Sequence, residues 1–279
     1  MPLEKNAMNT IATRLMAAAA AACVLLAVAF QFGGAAASPK VYFYNPESNI
    51  NNFSSLKAEF DSYLADFGKY EFQPFSNREN FEQFITQDQA ALFLLSSWHF
   101  QDLRSKYQMK PVLVGSAGGK TTQRRVIVAL KPQKNIVALR GQTIASAGHK
   151  DFTQSMLNQI LGRDGHKDIA DSMRIISVPK DIDALMAVGL GMAFAGITSE
   201  SALEQLRTVN PKQYDLLLTL GKSDELPRVI VAVKESNPDT LVLVKAFEQM
   251  SSARKGEYAM QMIGLDGWRR YEESGARPD

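Results

Sequence analysis

The residues best suited to chemistry in this 279-residue chain sit just after apolar, strand-like runs. Asn45 and Ser48 follow "VYFY", and Ser96, Ser97, Trp98 and His99 follow "ALFLL". Gly148, His149 and Lys150 come after "QTIAS", and Thr198 and Ser199 close "AFAGI". Loops of this kind open onto helix N-termini, where free backbone N–H groups and capping hydroxyls attract an anion or a polar head group. The chemistry they support is binding. Each hydroxyl also has a plain structural role as a helix cap, and Ser201-x-x-Glu204 has the spacing of a capping box. Trp98 can stack on a ligand ring or fill a core.

Other chemistries fail on spacing. His99, His149 and His166 make no metal-binding pattern, and the single cysteine, Cys23, falls in an N-terminal apolar run. No metal and no cofactor is expected. There is no G-x-S-x-G elbow and no recognisable pairing of carboxylates, so an enzyme is not expected. "GSAGGKTT" (115–122) resembles a phosphate-binding loop, but its glycines enclose three residues rather than four, and a strand follows instead of a helix. Two adjacent glycines before a strand suit a hinge better. A net charge of +2 without a basic stripe argues against nucleic acid as a partner.

The elements that would position these residues alternate. A strand at 41–44, a helix with apolar residues at Phe53, Leu56, Phe60, Tyr63, Leu64 and Phe67, and a strand at 90–95 give a β-α-β-α-β order. Further strands and helices continue to the end, with "TLVLVKAFEQMSSA" and "GEYAMQMIGLDGWRRYEE" read as two closing helices. That order predicts an α/β fold. The first 37 residues carry a polar basic start, the uncharged run Leu15–Phe32 and the small residues Ala35-Ala36-Ala37, the layout of a secretory signal peptide. Its apolar run is also long enough for an uncleaved anchor. Export to the periplasm is the expected localisation.

The heptapeptides "RVIVALK" (125–131) and "RVIVAVK" (228–234) have unrelated flanks, so they are read as two strands with one structural task rather than a repeat. They would be the strands by which the chain enters and leaves an inserted lobe, lying near one another and paired in one sheet. The expected organisation is lobe 1 from 38–124 plus 229–279 and lobe 2 from 125–228. Sixteen of the 25 aromatic residues lie between Tyr42 and Tyr107, which makes lobe 1 aromatic-rich.

Taken together, "VYFYNPESN", "PFSNRENFEQFI", "AALFLLSSW", "LRGQTIASAG", "DALMAVGLGMAFAGITSESALEQL" and "RVIVAVKES" resemble the periplasmic substrate-binding proteins of the type II class, in the phosphate/phosphite/phosphonate-binding branch of ABC importers. The resemblance spans about residues 40 to 250 and rests on the order of elements. It implies a two-lobed fold with a cleft between the lobes, a small-molecule ligand, a monomer and delivery to a membrane permease. The four loops above would line the cleft. Members of that branch hold the anion with a cluster of Ser and Thr hydroxyls where this chain has Ala147-Gly148-His149-Lys150. They also place an acidic residue where this chain has Gly191-Met192-Ala193-Phe194. Two alternatives therefore stay open: a periplasmic shuttle for an apolar ligand such as a lipid or sterol, and a ligand sensor docking on a membrane receptor.

Overall fold

The computed structural model describes residues 39–48, 50–87, 92–133, 135–163, 165–234 and 238–272. The expected signal segment lies outside them. Among the described residues no helix is long and apolar enough to cross a membrane.

The first lobe begins with β1 (Lys40–Tyr44), α1 (Phe53–Leu64), β2 (Glu71–Pro74), α2 (Arg78–Gln87), β3 (Leu92–Leu95), α3 (Ser97–Arg104) and β4 (Lys110–Ser116). The second lobe follows with β5 (Thr122–Leu130), β6 (Thr143–Ser146), α4 (Lys150–Gly162), α5 (Lys167–Ser172), β7 (Arg174–Ser177), α6 (Asp181–Gly189), β8 (Ala195–Ser199), α7 (Glu200–Val209), α8 (Pro211–Tyr214) and β9 (Leu217–Pro227). The chain then returns to the first lobe as β10 (Ile230–Val233), α9 (Pro238–Gln249), α10 (Arg254–Met262) and β11 (Gly267–Arg270).

Each lobe is a mixed sheet covered by helices. The first has the order β11-β4-β10-β3-β1-β2, and the second β7-β6-β8-β5-β9. Strands β1, β2 and β3 run parallel, as do β6, β7 and β8, whereas β10 lies antiparallel between β3 and β4. Side chains alternate across the first sheet as strand geometry requires. Val41, Phe43, Leu92, Leu94 and Val231 face Leu56, Phe60 and Phe247, while Tyr42, Phe93, Leu95 and Ile230 face Phe81, Phe100 and Leu103. Both faces are buried, which is why these strands read as unbroken apolar runs. The aromatic richness of the first lobe is mostly core: Phe60 stacks on Phe72 at 4.0 Å between ring centroids.

The two heptapeptides do not share a sheet. Arg125 to Leu130 belongs to β5 in the second sheet, and Ile230 to Val233 is β10 in the first. Their N-terminal ends are nevertheless close, because the chain crosses twice between the lobes at one place. Arg228 N donates to Thr121 O at 2.9 Å, and Gly115 N donates to Val229 O at 2.8 Å. The likeness of the two segments reflects a similar need, a strand buried on both faces, met once in each lobe.

One further reading changes. The stretch after Met262 does not continue as a helix; Gly264 turns the chain at φ 76°, and β11 pairs with β4 as the edge of the first sheet. Gly118 and Gly119 take φ of 58° and 73°, a left-handed pair that only glycine adopts without strain. They make a tight turn closed by Ala117 N to Lys120 O at 3.0 Å. Asp266 fastens that turn to the first lobe, accepting from Ser116 Oγ at 2.9 Å and from Gly118 N at 2.5 Å.

Candidate functional site

The carboxyl ends of β1 and β3 face those of β6 and β8 across the space between the lobes, the place where open α/β sheets bind ligands. At its centre lies a cluster that spans both lobes. Arg125, the fourth residue of β5, is 1 % exposed. Its Nη1 donates to Asp181 Oδ2 at 2.8 Å and its Nη2 to Asp181 Oδ1 at 2.9 Å, a two-pronged pair. A second carboxylate, Glu47 of the first lobe, reaches the same guanidinium at 3.3 Å. Gln123 Nε2 also donates to Glu47 Oε2 at 2.5 Å.

The local sequence explains how Glu47 is aimed. Asn45 Oδ1 accepts from Glu47 N at 3.1 Å, and Asn45 Nδ2 donates to Ser48 Oγ at 3.0 Å, folding the loop after β1 into a compact turn. The second lobe meets that turn with backbone and side chain. Asp181 N donates to Pro46 O at 3.1 Å, and Lys180 Nζ donates to Ile50 O at 2.7 Å and Asn51 Oδ1 at 2.9 Å. Thr198 and Ser199 are fully buried and serve Asp181: Ser199 N donates to its Oδ2 at 2.7 Å, and Thr198 Oγ1 donates to its carbonyl at 3.2 Å.

Burial sets the electrostatics. Two carboxylates share one guanidinium, so one negative charge is left over in a dry place. Burial pushes the Glu47 carboxyl up to about 7, against the pull of Arg125 and with the repulsion of Asp181 behind it. Burial works against the charge on Arg125, but Asp181 and Glu47 outweigh it and raise its pKa. Beside the cluster lies a polar cavity of about 280 Å³, lined among others by Asn45, Glu47, Ser48, Gln123, Ser201 and Arg228. Arg228 Nη1 donates to Gln123 Oε1 at 3.2 Å, and its pKa is lowered by burial despite the nearby Glu47. No carboxylate among the described residues lies within ion-pair distance of Arg228.

A second cavity, of about 380 Å³, is aromatic and apolar, with Ser97, Trp98, His149, Phe152, Met156 and Leu226 in its lining. Trp98 of the first lobe stacks on Phe152 of the second at 5.0 Å between ring centroids and an interplanar angle of 21°. His149 Nε2 bonds to the carboxylate of Asp102 across the same gap. The other imidazole nitrogen, Nδ1, accepts from Asp151 N at 3.2 Å and Phe152 N at 3.3 Å and so caps α4. That cap consumes the N–H groups at the very turn where the sequence lacks hydroxyls. Thr153 Oγ1 is buried and bonds inward to Ser146 and to His149 O.

The loops named from the sequence thus have several fates. Asn45 and Ser48 line the polar cavity, and Ser97, Trp98 and His149 line the aromatic one. Gly148 is buried against Phe152, and Lys150 is exposed. His99 points into the first lobe's core, bonded to Glu82 at 2.9 Å; burial lowers its pKa. Ser96 is fully buried and its Oγ has no partner among the described residues. Ser201 is not the helix cap its spacing suggests; Ser199 accepts from Ala202 N at 3.3 Å in that role, and Ser201 Oγ donates to Gln123 Oε1 at 2.8 Å. Glu47, Gln123, Arg125, Asp181 and Arg228 are the residues a search among loop hydroxyls passes over. One signal was available: Arg125 shares strand parity with Ile127 and Ala129, so it points to a covered face. Among the described residues no group of three or more His, Cys, Asp or Glu is placed to hold a metal ion.

The family model of ABC-transporter phosphonate periplasmic substrate-binding proteins matches residues 41–275. No curated protein sequence matches the chain. Solved structures share the fold at low identity. A binding-protein component of an ABC phosphonate transporter from Pseudomonas aeruginosa superposes with a TM-score of 0.67 at 10% identity, covering 85% of this chain and 82% of its own. PhnD1 of Prochlorococcus marinus, in complex with methylphosphonate, gives 0.67 at 12% identity, with 85% and 93% covered. A Xanthomonas citri protein bound to ATP gives 0.65 at 15% identity, with 85% and 92% covered. With its two lobes, interlobe cleft and family match over nearly the whole described chain, this protein belongs to the phosphonate-type periplasmic substrate-binding proteins of ABC transporters.

Proposed function

We propose that the chain, the solute-binding component of an ABC importer, captures a small phosphonate- or phosphate-type anion between its lobes and passes it to a membrane permease. The observation that carries this reading is the pair of guanidinium groups in the interlobe cluster, Arg125 against Glu47 and Arg228 against Gln123, themselves joined by the Gln123–Glu47 bond. An oxyanion bonds well to such forks. The turn at Gly148-His149 has its N–H groups capped by imidazole, so arginine takes over the task that hydroxyls perform elsewhere in the branch. Asn45, Ser48, Gln123, Ser201 and Arg228 form the polar wall, and Trp98 and His149 accept an organic substituent in the aromatic cavity. Closure is a rotation of the second lobe against the first about the paired crossings, driven by contacts made only when closed. The protein works as a monomer in the periplasm.

Isothermal calorimetry with methylphosphonate, phosphite, phosphate and ATP tests this. Saturable binding of at least one anion, weakened tenfold or more by Arg228→Ala, is the expected result; binding indifferent to that change would move the site elsewhere. The aromatic cavity favours a second reading, an apolar ligand. Lipid recovered from protein purified from its own periplasm, with no response to any anion, would replace the first reading with that one.

A further inference from the structure

Glu47 does to Arg125 what a bound oxyanion would do. It comes from the first lobe and crosses to the second. Two oxygens meet donors there: Oε1 lies 3.3 Å from Arg125 Nη1, and Oε2 accepts from Gln123 Nε2 at 2.5 Å. A carboxylate with both oxygens on a guanidinium and an amide is the pattern of ligand recognition. Yet Arg125 needs no second partner, since Asp181 already neutralises it through two bonds. The Arg125 charge alone therefore does not require Glu47, and burying a second carboxylate there carries a desolvation cost.

One further detail fits an acceptor position shared with a ligand. The polar cavity of about 280 Å³ opens directly on Glu47 and Gln123, with Arg228 as a second cation in its wall. The charged groups facing Glu47 are Arg125, Asp181 and Arg228.

We infer that Glu47 is an internal competitor for the anion site: its carboxylate occupies the Arg125–Gln123 position that the ligand's oxyanion takes, and binding expels it. This rests on the anion reading given above. The device sets specificity as well as affinity. An incoming group must outbid a carboxylate on the same donors, which selects a doubly charged oxyanion such as a phosphonate or phosphate ester over a monocarboxylate. If Glu47 holds the site nine-tenths of the time, apparent affinity falls about tenfold, because only the remaining fraction is competent.

The test compares wild type, Glu47→Gln and Glu47→Ser by calorimetry with methylphosphonate, inorganic phosphate and acetate at pH 8. Thermal melts verify that each variant is folded, and the serine variant stands in if the glutamine one is not. The expected result is a gain of about tenfold in methylphosphonate or phosphate affinity for either variant, with new, weak binding of acetate. If wild type binds methylphosphonate and the variants bind it equally or less well, Glu47 is a ligand contact or a bystander; the inference falls and the anion function stands. If neither wild type nor variants bind any of these anions, both fall together.

Discussion

Glu47 and Arg125 belong to different lobes, yet their side chains meet at 3.3 Å in a place where both are almost wholly buried. Asp181 already holds the same guanidinium at 2.8 Å, so the contact brings two carboxylates to one cation. The lobes are therefore joined by a buried cluster in which two carboxylates meet one guanidinium directly, with Arg228 close by, and its behaviour depends on protons and on competing anions.

Stability should fall as pH rises from about 4.3 to about 7 and level off above that. The Glu47 carboxyl titrates near 7 when folded and near its ordinary value, about 4.3, when unfolded. A raised carboxyl pKa means the folded state binds the proton more tightly, so stability is greatest below the unfolded value and is lost between the two. The loss amounts to at most about 4 kcal/mol. Urea denaturation of wild type and Glu47→Gln at pH 5, 6, 7 and 8 checks it: the wild-type curve should slope and the variant's should lie flatter. Parallel curves would show that the surplus charge is relieved in another way.

Acid acts in the opposite sense through Glu82. Its hydrogen bond to His99 and its pairing with Arg78 hold the carboxyl down near 2. That stability is present above the unfolded carboxyl value and disappears as pH falls toward 2. Glu82→Gln should therefore lose less stability than wild type between pH 5 and pH 2.5, measured by circular dichroism melts.

Breaking the Arg125–Asp181 pair should be severe. Asp181→Asn weakens two charge-assisted bonds from the guanidinium and the bond from Ser199 N, with Glu47 left as the one carboxylate, at a cost of about 2 kcal/mol or more. The expected readout is a lower denaturation midpoint at an unchanged denaturant slope. A drop under about 0.5 kcal/mol would place Arg125 in water rather than in a dry cluster.

The Trp98–Phe152 stack is a reporter of closure. The sequence has two tryptophans, so a Trp268→Phe background leaves Trp98 alone as the fluorophore. Phe152→Leu removes the interlobe stack, worth about 1 kcal/mol, and should shift Trp98 emission toward that of a solvated indole. Emission identical in both proteins would mean that Trp98 is sheltered by its own lobe alone.

A glycine outside both cavity linings provides a contrast. A Cβ added at Gly256, in the first turn of α10, would lie 2.5 Å from Met250 O and 2.9 Å from Tyr63 Cε2. Backbone cannot move aside as a flexible side chain can, so Gly256→Ala should destabilise by about 2 kcal/mol. For a chain of this size that lowers Tm by about 4–8 °C. Ligand affinity should not change.

Much of the scaffold was legible because it is periodic or local. Val41, Phe43, Tyr42 and Tyr44 alternate between two buried faces, and Phe53 to Leu64 repeats at helical spacing; both patterns record which side of an element is covered. The four loops were legible because strand ends and helix starts fix where polar groups gather. Ser199 against Ser201 shows the limit, since two hydroxyls in one turn have the same chemistry and only the backbone angle at Ser199 selects the cap.

What the sequence by itself determined, then, is the set of elements and the loops that could meet a ligand. The tertiary structure alone decided that "RVIVALK" and "RVIVAVK" part into different sheets, since two-sided burial is equally available in either lobe. It also decided that Glu47, Gln123, Arg125 and Asp181, far apart in the chain, share one dry centre. Apart from Arg125, whose strand parity marks a covered face, these residues carry no periodic mark, and in sequence they look like ordinary surface. Their burial follows from how the two lobes face each other, a relationship made by long-range contact and by no local pattern.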